Sequence, residues 1–190
     1  MAESGTKDKI LKATFLLLLE KGYDRVLVSD IQSLLGMSRG LLYRYFKSKN
    51  ELFFAACREY FYDRYFRGAD YSNMTLREFL EHAKSAVLDI TNLDGTEIGM
   101  LQYNTLYSAL IQCQPRFNRV ALEEFAKARE VIHNSIVRGE VKELPENFIG
   151  ATLLAIFGRT SYITETPSNE YVKKRIIEDV DTFYSLIRRS

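Results

Sequence analysis

The sequence is poor in cysteine and has no pattern of a sorting or membrane segment. Its two cysteines, Cys57 and Cys113, form no CxxC pair, so neither a disulfide framework nor a thiolate metal cage is indicated. We expect both thiols to be buried. Apolar runs such as Phe15 to Leu19 are far shorter than the roughly 18 residues that a membrane-spanning helix needs. Without a signal-peptide pattern either, the sequence predicts a cytoplasmic protein.

Proline and sheet-forming patterns are also scarce. Only three prolines occur, and no alternating stretch rich in Val, Ile or Thr is bounded by turn residues, so nothing indicates a β-sheet. Apolar side chains recur instead at helical spacing along the chain. With 46% apolar and 27% charged residues among 190, the composition is that of an ordinary folded protein. The sequence therefore predicts an all-α fold of about nine helices.

Patterns that carry catalytic chemistry are missing as well. The two histidines, His82 and His133, are far apart in the sequence, and there is no HExxH, GxSxG or phosphate-loop motif. We therefore predict no catalytic residue, no metal site and no cofactor. An enzyme is disfavoured.

Charge is balanced overall but uneven along the chain. A net charge of +1 excludes a globally basic, histone-like protein. Within residues 25–49, however, five basic side chains accompany a single acidic one, Asp30. A local excess of positive charge of this kind is typical of a surface that binds nucleic acid.

Capping residues place the first two helices. Thr6 is the predicted cap of the first helix, which ends at Gly22, because glycine best tolerates a left-handed C-terminal position. A second, short helix is predicted from about Ser29 to Leu35. Ser29 is its expected cap, because the side chain of Leu27 offers no hydrogen-bond acceptor.

The next two helices are marked by serine caps. Ser38 is the predicted cap of a third helix, and the turn before it contains Gly36. Ser48 and Glu51 form a capping box that opens a long fourth helix, which we expect to reach about Arg67.

The second and third predicted helices form a helix-turn-helix, whose second helix fits the major groove of DNA. Taken alone, the two helices are also compatible with an ordinary helical hairpin. Ser38 at the cap leaves the first-turn N–H groups and the positive end of the third helix free to face a phosphate. Arg39 in that turn can donate two hydrogen bonds to a guanine, or bind a phosphate.

Neighbouring residues suit the same role. Gly40 has no side chain, so DNA can approach closely, and Leu41 offers an apolar contact to a thymine methyl group. Tyr43 and Tyr45 carry hydroxyl groups suited to phosphate oxygens, and Lys49 adds a positive charge at the start of the fourth helix. The predicted DNA contacts are Ser29, Ser38, Arg39, Gly40, Leu41, Tyr43, Arg44, Tyr45 and Lys49.

The pieces KILKA, EKGYD, VSDI and LLGMSRGLLYRYFKSKNEL follow one another between Lys9 and about Ala56. In these pieces the chain resembles the TetR family of tetracycline-repressor-like transcriptional regulators. The resemblance implies a homodimer with three parts in each chain. They are a three-helix DNA-binding domain at 1–48, a linking helix at 49–67, and a helical ligand-sensing and dimerisation domain at 68–190.

The function implied by the resemblance is that of a sequence-specific DNA-binding transcriptional regulator. We expect a repressor that a small-molecule effector releases from a double-stranded operator with inverted repeats. The alternative is a helical sensor or adaptor that does not bind DNA. Such a protein would be recognised by a disrupted recognition helix, which this sequence does not have.

Aromatic residues crowd the end of the fourth helix, at 60–66, where we expect packing between the two domains rather than ligand contact. An effector pocket needs an apolar lining and a few polar groups. The candidate ligand contacts are Tyr103, Tyr107, Phe125, His133, Arg159 and Tyr162. The polar members of this set are equally compatible with exposed or internally paired side chains.

The last two predicted helices carry the candidate dimer interface. Small and apolar residues recur every four positions on the first of them, which allows close approach of another helix, and an apolar stripe runs along the second. Packing within one chain is the alternative interpretation. The predicted interface residues are Gly150, Leu154, Gly158, Ile176, Val180, Phe183 and Ile187.

Overall fold

The computed structural model describes residues 2–66, 68–93, 95–158 and 168–189. These residues are almost entirely helical, which confirms the predicted all-α class. They form two compact units, the first from residues within 1–67 and 106–118, the second from residues within 68–105 and 119–190. Residues 106–118, which the sequence assigned to the sensing domain, thus pack with the first unit.

The N-terminal helices follow one another with short connections. They are α1 (Ala2–Lys21), α2 (Val28–Leu35), α3 (Arg39–Tyr45), α4 (Lys49–Arg58), a π-helical turn (Glu59–Asp63) and α5 (Arg64–Phe66). α4, the π-turn and α5 form one continuous helix, which corresponds to the predicted fourth helix.

The remaining elements are longer helices and one small hairpin. They are α6 (Leu76–Ile90), β1 (Asn92–Leu93), β2 (Thr96–Glu97), α7 (Met100–Cys113), α8 (Pro115–Val137), α9 (Glu146–Phe157) and α10 (Asn169–Ile187). With α4 to α5 taken as one, the described residues contain nine helices, as predicted. The two-residue strands pair antiparallel, Asn92 with Glu97, a ladder that the sequence did not predict.

Two predicted capping residues are wrong. α1 already begins at Ala2, so Thr6 lies inside the helix rather than at its cap. α2 begins at Val28 with Leu27 as its N-cap, so Ser29 is not the capping residue. The carboxylate of Asp30 makes the other hydrogen bond of a capping box, because it accepts the backbone N–H of Leu27 at 2.8 Å.

The two serine caps are confirmed. Ser38 Oγ accepts the N–H of Leu41 at 3.3 Å, and Ser48 Oγ accepts the N–H of Glu51 at 3.1 Å. The carboxylate of Glu51 accepts the N–H of Lys47 at 2.8 Å, one residue before the N–H that a regular capping box would use. Both α3 and α4 therefore begin where local side-chain chemistry places them.

The core of the first unit lies between α1 and α4, with α2 packed against α1. Ile10 and Leu18 on α1 and Phe53 on α4 are fully buried. Burial of such side chains contributes about 1.5 to 3 kcal/mol each, and it holds the short α2–α3 pair on a firm base.

The second unit has its core between α6, α9 and α10. Glu140 ties this unit together, because its carboxylate accepts the N–H groups of Leu76 and Arg77 at 3.0 and 2.9 Å and the hydroxyl of Tyr184 at 3.1 Å. The start of α6 is thereby fixed to the end of α10 through the loop after α8.

The two cysteines differ in access. Cys57 is buried, and this burial raises the pKa of its thiol. Cys113 is exposed at the end of α7, contrary to the prediction that both thiols are buried.

Among the described residues, no helix combines the length and the apolar character needed to cross a bilayer.

Candidate nucleic-acid interface

The turn between α2 and α3 is set by Gly36. Its φ of 62° is left-handed, and its N–H and that of Met37 both return to the carbonyl of Gln32. This geometry ends α2 sharply and lets α3 begin three residues later, at Arg39. Ile31 on α2 and Leu42 on α3 are buried, so each helix is held by one apolar face.

α3, the recognition helix, presents the remaining residues to solvent. Its only buried side chain is that of Leu42, and the Phe46 ring that follows is buried too. All nine predicted DNA contacts are exposed or half-buried, so none is consumed by the core. Ser38, Arg39 and Gly40 at the start of the helix are all exposed. The leading end of α3 is thus free for a partner.

Gly40 is not required by packing inside the chain. A Cβ added there would meet nothing within 4 Å, and the backbone is not left-handed. A Cβ at Gly36 would also meet nothing within 4 Å, but there the positive φ itself favours glycine. If Gly40 has a role, it lies in what approaches the helix from outside.

Among the described residues, five cations of the first unit lie over aromatic rings, and three of these pairs include a residue within 39–49. The guanidinium of Arg39 is 5.5 Å from the ring centre of Tyr43, and Lys49 Nζ is 4.9 Å from that of Phe53. Lys7 Nζ on α1 lies 5.9 Å from the ring of Phe46. Each distance is within the range in which a cation is attracted to the ring face.

The single carboxylate in 25–49 is already engaged. Asp30 Oδ1 lies 3.1 Å from Lys21 Nζ, and its other oxygen accepts the N–H of Leu27. That backbone hydrogen bond and then Lys21 hold the pKa of Asp30 below its usual value. Asp30 is therefore anionic near neutral pH, and its charge is matched inside the unit by Lys21.

Sequence spacing could have indicated two of the three cation–ring pairs that include a residue within 39–49. Arg39 and Tyr43, like Lys49 and Phe53, are four residues apart, and side chains at that spacing meet on one face of a helix. The pair of Lys7 and Phe46 joins distant parts of the chain, so no local pattern reveals it. These rings were not among the predicted functional groups, apart from Tyr43.

The π-turn lies within an aromatic cluster that also contains one predicted ligand contact. Tyr60, Phe61 and Tyr62 are consecutive, and all three are buried. Phe15 stacks on Tyr60 with ring centres 4.8 Å apart. The hydroxyl of Tyr62 is 2.6 Å from that of Tyr107, so Tyr107 is engaged within the first unit.

Phe117 completes this aromatic cluster. Its ring centre is 5.6 Å from that of Phe61 and 5.9 Å from that of Tyr107. The contacts described for residues 60–62 are thus internal to the first unit. We define the aromatic cluster as Phe15, Tyr60, Phe61, Tyr62, Tyr107 and Phe117.

The other predicted ligand contacts are not brought together with Tyr107. Tyr103 is buried and Phe125 is half-buried, both in the second unit. His133 is on the surface, where its Nδ1 lies 2.7 Å from a carboxylate oxygen of Glu146. Arg159 and Tyr162 lie outside the described residues.

Surface grooves lined by described residues of the second unit include one of about 440 Å³ and one of about 400 Å³. Neither is lined by a predicted ligand contact. The first lies beside the start of α9, and its lining includes Arg129, Pro145 and Asn147. The second lies beside the hairpin, and its lining includes Leu88 and Lys173. Within the described part of the chain, no three His, Cys, Asp or Glu side chains are grouped to hold a metal ion.

Four predicted dimer-interface residues require correction. Ile176, Val180, Phe183 and Ile187 are between 0% and 8% exposed in the single chain. They belong to the core of the second unit, because α10 packs this stripe against α6 and α9. A partner copy could therefore bury little further surface of these four side chains.

The predicted interface residues on α9 do not all face the same way: one faces its own chain and the others are exposed. A Cβ at Gly150 would lie 3.7 Å from Ile132 of the same chain, so this glycine faces inward. Leu154 is 49% exposed, and Phe148, one turn and a half earlier, is 55% exposed. Gly158 is exposed. α9 therefore has an outward apolar face formed by Phe148, Ala151, Leu154 and Ala155.

The sequence matches to known proteins cover the N-terminal part of the chain. Residues 10–56 match the family described as bacterial regulatory proteins, tetR family. The HTH-type transcriptional regulator YvdT of Bacillus subtilis (strain 168), itself uncharacterized, is 45% identical over 49 residues, or 26% of this chain. That match spans only 25% of the relative's length.

Solved structures are similar over nearly the whole chain. The ketosteroid transcriptional regulator KstR2 of Mycobacterium tuberculosis has a TM-score of 0.66 at 17% identity, covering 97% of this chain and 96% of that one. A transcriptional regulator from Saccharomonospora viridis, solved in complex with choline, has a TM-score of 0.65 at 17% identity, covering 98% and 100%. At such identities the likeness establishes the fold.

Proposed function

We propose that this chain is a TetR-family regulator that represses transcription until a small-molecule effector releases it from its operator. The match of residues 10–56 to that family and the helical fold support the proposal. The observation that carries the DNA-binding step is the free, cationic leading end of α3. Ser38 caps that end, and Arg39 and Gly40 are exposed beside it.

The division of labour on DNA follows from position. Arg39 in the first turn of α3 reads a base edge, because a guanidinium matches the two acceptors of guanine. Lys49 begins α4 and binds a backbone phosphate together with the N–H groups at that helix end. Tyr43 and Tyr45 place hydroxyls at the groove walls.

A homodimer is part of the proposal. One short recognition helix makes few contacts, and two linked copies multiply affinity because the second binding event becomes intramolecular. The outward apolar face of α9 supports a second copy as the partner. It carries no charge between Phe148 and Phe157, and Phe148 and Leu154 are about half exposed. An inverted-repeat operator follows from two-fold symmetry.

Effector release requires that ligand and operator compete energetically. An effector shifts a conformational equilibrium only through different affinities for the two states. The aromatic cluster supports a path to the DNA-binding helices. It joins α1 to the π-turn, to Tyr107 in the middle of α7 and to Phe117 near the start of α8, and other residues of α7 and α8 belong to the second unit.

The first test is selection of DNA fragments by the purified full chain. We expect an enriched sequence with two inverted half-sites whose centres are about one helical turn, or a multiple of it, apart. Binding without sequence enrichment would contradict sequence-specific regulation. No retention on random DNA at low salt would favour the alternative of a sensor or adaptor that does not bind DNA.

The second test is a small-molecule screen against the operator complex. Any effector must weaken operator binding by the same factor by which the operator weakens effector binding. Reciprocal titrations without this equality, for every compound that binds the free protein, would contradict effector release. They would leave DNA binding itself untouched.

A further inference from the structure

Arg39, the first residue of α3, has an aromatic neighbour on its own helix. Tyr43 lies four residues further on, so the two side chains share one face. The guanidinium carbon is 5.5 Å from the ring centre. Arg39 is exposed and Tyr43 is half-buried, so the less mobile partner is the ring.

A ring partner suits an arginine that must bind something else. The guanidinium has five N–H donors, and contact with a ring face leaves them available, whereas a carboxylate would occupy two of them and repel DNA phosphates. The one carboxylate of residues 25–49, Asp30, is bound to Lys21 and to the N–H of Leu27. The ring therefore restricts the arginine without using its donors.

The chemistry of Tyr43 can be divided into two parts. Its hydroxyl is at the far end of the side chain and is the group suited to a phosphate oxygen. Its ring face is the group that meets Arg39. Removing the hydroxyl leaves the ring in place, so the two parts can be tested separately.

We propose that the ring of Tyr43 is a positioning group that orients Arg39 for base reading, independently of any phosphate contact by its hydroxyl. The inference rests on the proposed DNA-binding function. Lys49 and Phe53 repeat the geometry at 4.9 Å, but the ring of Phe53 is fully buried in the core. Tyr43 is half-buried and is the ring that can be replaced with less damage to the fold.

The experiment measures base preference at each operator position for the full-length wild type and variants. Tyr43→Phe should weaken all sequences alike and keep the preference at the base pair read by Arg39. Tyr43→Leu should reduce that preference by about two- to fivefold, the worth of one exposed cation–ring contact. Tyr43→Trp should keep it, because the indole is the better ring for a cation.

A double variant shows whether the ring acts through the arginine. In an Arg39→Ala background, Tyr43→Leu should cause no further loss of preference at that base pair. A further loss of the same size would mean that Tyr43 acts by another route, and would overturn the inference.

Four other outcomes would overturn the inference. Full preference in Tyr43→Leu overturns the inference, and so does equal loss in Tyr43→Phe, which would assign the effect to the hydroxyl. If Tyr43→Leu does not fold, as judged by circular dichroism, loss of preference in folded Tyr43→Trp and Tyr43→Phe overturns it instead. A wild type that binds DNA without any sequence preference overturns the proposed function, and the inference falls with it.

Discussion

At the scale of single residues, a substitution of Gly40 should affect stability and DNA binding in opposite directions. Because a Cβ at this position meets no neighbour, Gly40→Ala should leave the fold intact and raise the free energy of unfolding by about 0.5 to 1 kcal/mol, through the higher helix propensity of alanine. Operator affinity should nevertheless fall, since the added methyl group stands where DNA approaches. Thermal unfolding and a DNA titration measure the two effects.

Gly36→Ala is the matched control for that variant. Its left-handed φ makes alanine strained, so this variant should lower stability instead of raising it. Unchanged operator affinity in Gly40→Ala would mean that DNA does not approach α3 at this point.

Substitutions of Arg39 and Lys49 should weaken DNA binding in different ways. Arg39→Ala should cost about 1 to 3 kcal/mol on the preferred operator and relax preference at one base pair. Lys49→Ala should weaken every sequence alike and reduce the slope of log affinity against log salt by about one unit. Binding titrations at several salt concentrations, on preferred and scrambled DNA, distinguish the two. Identical base preferences in wild type and Arg39→Ala would exclude base reading by this residue.

At the scale of elements, the start of α2 depends on an ionised carboxylate. The folded pKa of Asp30 is lowered by the N–H of Leu27 and by Lys21, so its contribution is present above the unfolded value near 3.8 and is lost as pH falls through the lower folded value. Asp30→Asn should therefore lower the melting temperature at neutral pH. The difference in melting temperature between wild type and Asp30→Asn should disappear only at pH values below that unfolded pKa.

Melting curves of both proteins across the acid range measure this effect. Glu20→Gln, a change at an exposed position of α1, serves as the control and should shift melting little. A difference that stays constant down to the most acid pH would show that the carboxylate charge is not what holds the start of α2.

Local signals explain which elements were predictable. Ser38 and Ser48 cap α3 and α4 through hydrogen bonds within three residues, so the sequence alone places them. The cap of α2 was misplaced because Leu27 has no side-chain acceptor, so a capping box cannot be recognised from the sequence although Asp30 holds its acidic position. The π-turn was not foreseen either. Three consecutive buried aromatics meet partners that are more than 40 residues away, such as Phe15 and Tyr107.

At the scale of the whole molecule, the dimer test must use the exposed face of α9. Gly158→Leu is a poor probe, because a Cβ there lies 2.9 Å from the carbonyl oxygen of Leu154 and would strain the helix end of a monomer too. Leu154→Arg should dissociate the dimer, since burying an unpaired charge at an interface is costly. Operator affinity should drop about a hundredfold or more as the avidity of two copies is lost.

Sedimentation at micromolar protein measures the mass, which should be twice the 22.0 kDa of one chain for wild type. Leu122→Arg, at a leucine that is 62% exposed on α8, is the matched control and should remain dimeric. A monomeric wild type with full operator affinity would contradict the dimer, and a dimeric Leu154→Arg would place the interface elsewhere.

The α10 stripe shows why the interface was only partly predictable. An apolar stripe on a helix looks the same in sequence whether its own chain or a second copy covers it. Ile176 and Val180 are fully covered by their own chain, whereas Leu154 on α9 is not. Only the packed structure distinguishes the two cases.

The unequal access of the two cysteines also makes the wild-type chain ready for site-specific labelling. A maleimide reagent should attach to Cys113 and spare Cys57, whose thiol is buried and resists ionisation. Because Cys113 belongs to the same unit as α3, a spin label there would report the position of the recognition helix. In a symmetric dimer, the distance between two such labels would follow the spacing of the recognition helices as an effector is added, without a single mutation.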